Sequence, residues 1–304
     1  MSEPSSQFAA WRQLFRIANV FTAVSNVLAG AMLSDGDWLP AAPLLLLIGS
    51  SALLYTAGMV LNDVFDSDLD AEERPERPIP SGRIDRQLAA FVGWALLAGG
   101  ILCSAWASYE LGSIAAVTIA ASLAVTIVMY NGGLKAIWAG PLAMGWCRAL
   151  NVLLGASLAG NEISAAAWLF AGAIGVYTIG LTVLARNEVG DTERLQVRTS
   201  GLLLLAAFVL LFLVSFLRSP GDHDIGWYWI LAWGSVLELA GIAYFAAVRS
   251  DTPQGVQLGV KRLILLFIVI DALICLLAGG WAPAGIVLLL LVPTLLLSRT
   301  HAMT

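Results

Sequence analysis

Long apolar runs alternate with short polar ones from one end of this chain to the other. Stretches apolar enough to form membrane-crossing helices fall near 12–33, 42–62, 88–107, 111–130, 138–158, 166–186, 200–217, 226–248 and 263–279, with a further candidate at 282–298. Each approaches the roughly 20 residues that a helix needs to cross a bilayer. The pattern predicts an all-α polytopic membrane bundle of nine or ten transmembrane helices. The uncertain count turns on Gly279-Gly280 and Pro283, which either separate two spans or break one helix. The composition agrees: 12% of the 304 residues are charged, against about a quarter in soluble domains. The longest polar segment, 63–87, is too short to bury a core of its own, so residues 1–304 read as one transmembrane domain. The first ten residues lack a basic n-region and no small-residue cleavage site follows, which predicts an uncleaved first span.

Basic residues set the orientation, because Lys and Arg are retained in cytoplasmic loops. With the N-terminus inside, the basic residues from Arg74 to Arg299 collect on one side and Arg218 alone falls opposite. The long polar loops 63–87, 187–199 and 249–262 are then cytoplasmic, in an integral protein of the inner (cytoplasmic) membrane. Cys103, Cys147 and Cys275 lie singly in different helices, and His223 and His301 have no ligand-spaced partner. Disulfide frameworks, zinc centres and His-based triads are therefore not expected. A net charge of −5 without a basic patch gives no sign of nucleic-acid binding.

The chemistry gathers after the second span. Asn62-Asp63-Val64-Phe65-Asp66-Ser67-Asp68-Leu69-Asp70 places a dense run of carboxylates beside apolar sequence. If the helix continues past Asn62, steps of 100° per residue bring Asp63, Asp66 and Asp70 within about 60° of one another, with Asn62 beside Asp66 and Asp68 elsewhere. Three carboxylates on one stripe repel unless a cation counters them, and all-oxygen ligands suit Mg²⁺, which usually shares itself with a phosphate. The plain alternative is a solvated acidic loop at the membrane interface. In the next segment, Arg74-Pro75-Glu76-Arg77-Pro78-Ile79-Pro80-Ser81-Gly82-Arg83, three prolines and a glycine forbid helix while arginines and Ser81 offer donors for phosphate oxygens.

Asn62-Asp63-x-x-Asp66-x-x-x-Asp70 followed by Arg-Pro-x-Arg-Pro-x-Pro-Ser-Gly resembles the first aspartate-rich motif of the UbiA superfamily of intramembrane prenyltransferases. Arg16-Ile17-Ala18-Asn19 looks like that family's Arg-Pro-x-Asn, with Ile17 replacing Pro, and Tyr130 with Lys135 is similar to its Tyr and Lys loop. The resemblance covers nearly the whole chain. It implies a bundle of about nine helices around a central cavity, with two acidic motifs holding Mg²⁺ and an isoprenyl diphosphate. The second motif departs from the family's Asp-x-x-x-Asp: Asn187-Glu188-Val189-Gly190-Asp191 has Asn first, with Glu188 as a substitute ligand. Ala185 to Val189, Gly140-Pro141 through Cys147-Arg148, and Asn151 to Gly155 look closest to the EboC-like branch.

Carried over by resemblance, Asn62, Asp63, Asp66, Asp70 and Asp191 hold the metal, and the four aspartates with Lys135 form the catalytic set. Arg16, Asn19, Asn62, Arg77, Ser81, Tyr130, Arg148, Arg186, Asn187 and Glu188 are the substrate-binding candidates. Arg148 falls near mid-membrane and must face the bundle interior, either toward substrate or paired with Glu238 or Asp271; Asn26 and Asn151 share the choice between cavity lining and helix packing. The expected activity is Mg²⁺-dependent transfer of an isoprenyl group from a diphosphate donor to a lipophilic or aromatic acceptor amid membrane lipid. The alternative is a non-catalytic relative that binds or transports a lipophilic metabolite. A third reading, a cation-coupled transporter using Asp271, Glu238 and Arg148, leaves the block from Asn62 to Gly82 unexplained.

Overall fold

The computed structural model describes residues 4–35, 38–186, 194–218, 227–250 and 252–298. They form α1 (Pro4–Phe15), α2 (Ile17–Asp35), α3 (Ala41–Phe65), α4 (Ser67–Glu73), α5 (Arg86–Leu111), α6 (Ala115–Asn131) and α7 (Gly140–Ala156), then α8 (Ala165–Ala185), α9 (Arg194–Arg218), α10 (Trp227–Val248), α11 (Pro253–Gly279), α12 (Trp281–Leu289) and α13 (Leu291–Ser298). Among the described residues, nine helices are long and apolar enough to cross a membrane, counting Gln7–Ser34 and Trp281–Ser298 as one each. The 17-residue α6 is the shorter apolar helix; at roughly 26 Å it falls a little short of the hydrocarbon thickness. The run at 282–298 is thus helical on both sides of a turn at Leu290.

Helix α2 lies at the centre of the bundle, packed against α3, α7, α8, α11 and α13. Since lipid is as apolar as leucine, helices associate in a membrane through close fit, and small residues let backbones approach. Here the fit is reciprocal. A Cβ at Gly30 of α2 would strike the Val152 carbonyl of α7, and one at Gly155 of α7 would strike the Val27 carbonyl of α2. Gly145 of α7 meets the Gly175 carbonyl of α8 in the same manner. On the far side, Tyr177 of α8 donates to the Leu263 carbonyl of α11 at 2.9 Å and meets Phe267 edge to face at 5.0 Å. Outward faces carry Leu102, Trp106, Leu239 and Ile242, all exposed, as a lipid-facing surface requires. Glu238 also lies exposed, on the outer face of α10, so it does not pair with Arg148.

Helices α2, α3, α6 and α7 line a pocket that reaches from Arg16 and Asn62 at one end to Ser51 and Asn151 at the other. Its walls are mainly apolar, with Leu54, Met59, Leu123, Ile127 and Met144 among them.

Candidate active site

The mouth of this pocket is built by two breaks in helix. The first is at Arg16, between α1 and α2, whose φ of +45° lies in the left-handed region. For a residue with a side chain that conformation costs about 1 kcal/mol or more. Its guanidinium offsets the cost by donating from Nη2 to Asp63 Oδ1 at 3.1 Å. The second break is at Asp66, where φ of −88° and ψ of 0° interrupt α3 before α4 begins at Ser67. Hydrogen bonds of helical spacing still run across it, from Asp66 N–H to Asn62 O and from Asp70 N–H to Asp66 O. The carboxylates therefore keep most of their helical phase: Asp63 and Asp70 are buried at 5% and 4% exposure. Asp68 points away, its side chain 84% exposed and paired with Arg86 at 3.0 Å.

The proline-rich strap after α4 supplies the matching cations. Arg77 N–H donates to Arg74 O, Ser81 N–H to Arg77 O and Gly82 N–H to Ile79 O, with Gly82 at φ +72° where glycine turns at little cost. Ile79 and Ile84 pin the strap to Leu14 of α1 and Val60 of α3 in a small apolar cluster. Held this way, Arg77 Nη1 lies 2.7 Å from Asp70 and 3.7 Å from Asp63. From the other side of the mouth, Lys135 Nζ reaches Asp66 at 2.5 Å. Three acids at the mouth thus face Arg16, Arg77 and Lys135.

The sequence expectation of three carboxylates around one metal differs from this arrangement. Among the described residues, no group of three acidic or His/Cys side chains is placed to hold a metal unaided. The break at Asp66 turns that carboxylate to Lys135, while Asp63 and Asp70 converge on a single atom of Arg77. That shared guanidinium marks a point where two carboxylates accept one positive centre. An oxygen-only pair of this kind fits Mg²⁺, which is commonly held by one or two carboxylates plus substrate phosphate and water. Asn187, Glu188 and Asp191 of the second motif lie outside the described residues.

The remaining candidates fall in three places. Tyr130, Asn62, Arg16 and Arg148 line the pocket itself. Asn19 is buried in α2. Ser81 and Arg186 serve loops: the Ser81 hydroxyl donates to Arg77 O at 2.6 Å, and exposed Arg186 donates to the carbonyls of Lys135 and Ile137 at 2.6 and 3.0 Å, fixing the turn that carries Lys135. Asn131 escaped sequence reading. It is buried, accepts from Asn62 Nδ2 at 3.1 Å and donates to Gly58 O at 3.3 Å, so it orients the amide beside the acids. The available signal was a lone amide in the last turn of an apolar helix.

Comparison with known proteins gives a consistent picture. The model of a family described as the UbiA prenyltransferase family matches residues 23–257. A digeranylgeranylglyceryl phosphate synthase of Ignicoccus hospitalis is 29% identical over 271 residues, covering 83% of this chain and 85% of that protein. A solved structure from work on digeranylgeranylglyceryl phosphate synthase in membranes superposes with a TM-score of 0.67 at 20% identity, over 90% of this chain and 99% of that one. A UbiA homolog from Archaeoglobus fulgidus bound to DMAPP and Mg²⁺ superposes with a TM-score of 0.59 at 14% identity, over 91% of this chain and 99% of that one. These relatives do not support the narrower resemblance to the EboC-like branch.

Proposed function

The chain belongs to the UbiA prenyltransferase family, and we propose that it moves an isoprenyl group from an isoprenyl diphosphate to a lipophilic or aromatic acceptor within the membrane. The observation that carries this reading is the charge arrangement at the mouth: Asp63, Asp66 and Asp70 set against Arg16, Arg77 and Lys135, directly above a largely apolar pocket. Such a cluster can be divided between two partners of opposite sign, the carboxylates going to a divalent cation and the basic groups to phosphate oxygens. The fold neighbour holding DMAPP and Mg²⁺ supports the same pairing of ligands.

Asp63 and Asp70, with Asn62 beside them, would hold Mg²⁺, joined by Asp66 and by Asp191 of the second motif. Magnesium, when bound, neutralises the diphosphate and eases departure of pyrophosphate. Arg16, Arg77 and Lys135, drawn from their carboxylates to the phosphate oxygens, stabilise negative charge as the donor's C–O bond breaks. Arg186 keeps the Lys135 turn in place through its two carbonyl contacts. Met59, Leu123, Ile127 and the Tyr130 ring exclude water from the reacting carbon until the acceptor attacks. The mouth faces the cytoplasm in this reading, which the distribution of basic residues supports. Relatives named as digeranylgeranylglyceryl phosphate synthases support a long isoprenyl donor and a lipid-like acceptor.

The test is turnover by the purified protein in vesicles with Mg²⁺, isoprenyl diphosphates of several lengths and quinoid, aromatic or glycerophosphate acceptors. Pyrophosphate release matched by prenylated product, and lost in Asp63→Ala, is the expected result. Asn187 in place of the family's aspartate favours a second reading, a protein that binds or transports its ligand without reaction. Intact donor binding with no release from any donor would establish that reading and overturn the first.

A further inference from the structure

We infer that Arg148 anchors an oxygen anion on the acceptor, a carboxylate or a phosphate, and thereby selects the molecule that is prenylated. This rests on the prenyltransferase reading and adds to it the acceptor's chemical class. Arg148 lies midway along α7, where an unpaired charge in a bilayer costs at least a few kcal/mol. Its contacts are consequently informative. Nη1 donates to the Thr22 carbonyl at 3.2 Å and to Asn26 Oδ1 at 3.0 Å, and Nη2 donates to Thr22 Oγ1 at 2.9 Å. Two rings lie against the guanidinium, Phe267 at 4.6 Å and Tyr55 at 5.5 Å from their centroids.

These contacts use three of the five N–H donors that an arginine carries. The two left over, on Nε and Nη2, form one edge of the group and have no hydrogen-bond acceptor among the described residues, while the side chain lines the pocket. A guanidinium edge of this kind matches the two oxygens of a carboxylate or phosphate. No carboxylate among the described residues lies within ion-pair distance of Arg148. Asp271 instead acts at one remove: it accepts from Ser25 at 2.5 Å and from Asn26 Nδ2 at 3.0 and 2.8 Å, which turns the Asn26 oxygen toward Arg148. Asn26 and Asp271 are thus positioning residues for a cation that lines the pocket with one edge uncommitted.

The location suits an acceptor and not the donor's diphosphate. Tyr55, which Arg148 overlies, precedes Asp63 by eight residues of α3, or roughly 12 Å along the helix. An anion held there leaves room for the acceptor's reacting atom to approach the donor carbon below the mouth. A purely structural role, tying α2 to α7, would have no use for an uncommitted edge.

The experiment measures equilibrium binding to protein in lipid nanodiscs for two pairs of probes. One is 4-hydroxybenzoate with its methyl ester; the other is geranylgeranylglyceryl phosphate with its dephosphorylated alcohol. Geranyl diphosphate is measured in parallel as the donor probe. In the unaltered protein the charged member of one pair should bind at least tenfold more tightly than its neutral counterpart, and which pair does so identifies the source of the anion. Arg148→Gln should bring the two members within twofold, and Arg148→Lys should weaken the preference while geranyl diphosphate binds as before. Equal binding of charged and neutral members in the unaltered protein, or a preference that survives Arg148→Gln, overturns the inference. Should Arg148→Gln fail to fold, the Arg148→Lys result decides. Failure of geranyl diphosphate to bind the unaltered protein would remove the prenyltransferase reading separately, because the anion preference is read without it.

Discussion

Replacing Arg77 with methionine removes the one guanidinium that Asp63 and Asp70 share, and its consequence can be worked out from the geometry. Asp70 loses its 2.7 Å partner, while Asp63 retains Arg16 at 3.1 Å. Both carboxylates are almost fully buried, so the variant confines two like charges without their common counter-ion. Removing one partner from a buried pair destabilises by about 3 kcal/mol or somewhat more. Thermal and denaturant unfolding in detergent should register that loss. Arg86→Met is the control, because the Arg86–Asp68 pair is exposed and such pairs contribute about 0–1 kcal/mol. The same argument predicts a rescue: a divalent cation can take the vacated place between the carboxylates. A ligand at a hundredfold its Kd stabilises by roughly 2.7 kcal/mol, so saturating Mg²⁺ should recover most of the stability of Arg77→Met and raise it by more than it raises that of the unaltered protein. A variant as stable as the parent, or one indifferent to Mg²⁺, would refute the reasoning that these two acids share one positive centre.

Other substitutions probe separate parts of the account. Asp63→Ala and Asp66→Ala should abolish Mg²⁺-dependent pyrophosphate release, whereas Asp68→Ala, on an exposed side chain, should leave it within a few-fold; equal losses at all three would dissolve the distinction between inner and outer acids. Asn187→Asp should hold or increase Mg²⁺ affinity in a titration of activity, and collapse of activity would assign the amide a role of its own. Gly155→Ala puts a methyl against the Val27 carbonyl, which should cost about 1–3 kcal/mol in unfolding experiments and lower turnover by separating α2 from α7. Asn131→Leu should raise the KM for the donor several-fold by freeing the Asn62 amide; unchanged kinetics would reduce Asn131 to helix packing.

The bundle was legible because membrane helices leave unbroken apolar runs, and even the run at 282–298 is helical. The inward phase of Asp63 and Asp70 and the outward phase of Asp68 also followed from a step of 100° per residue, since hydrogen bonds of helical spacing persist across Asp66. The break at that residue was not legible. The partner it gives Asp66, the Lys135 ammonium, arrives from a loop 69 positions away, a contact that carries no local signature. Arg16 illustrates the same limit, because nothing near it in sequence announces a left-handed conformation stabilised by a carboxylate on another helix. For Arg148 the sequence required an inward-facing side chain, and left open contact with substrate or a pair with Glu238 or Asp271. The structure places Glu238 on the outer face of α10 and links Asp271 through Asn26, a choice made by helix rotation within the bundle.

The central claim is that the acids at the mouth hold a donor diphosphate through a divalent cation. It is tested most directly by equilibrium binding of geranylgeranyl diphosphate to protein in nanodiscs, with Mg²⁺ and with a chelator, for the unaltered chain and for Asp63→Asn combined with Asp70→Asn. Binding that needs Mg²⁺ and falls at least tenfold in the double variant is the predicted result. Affinity that is the same with chelator, or undiminished by the double substitution, would contradict it.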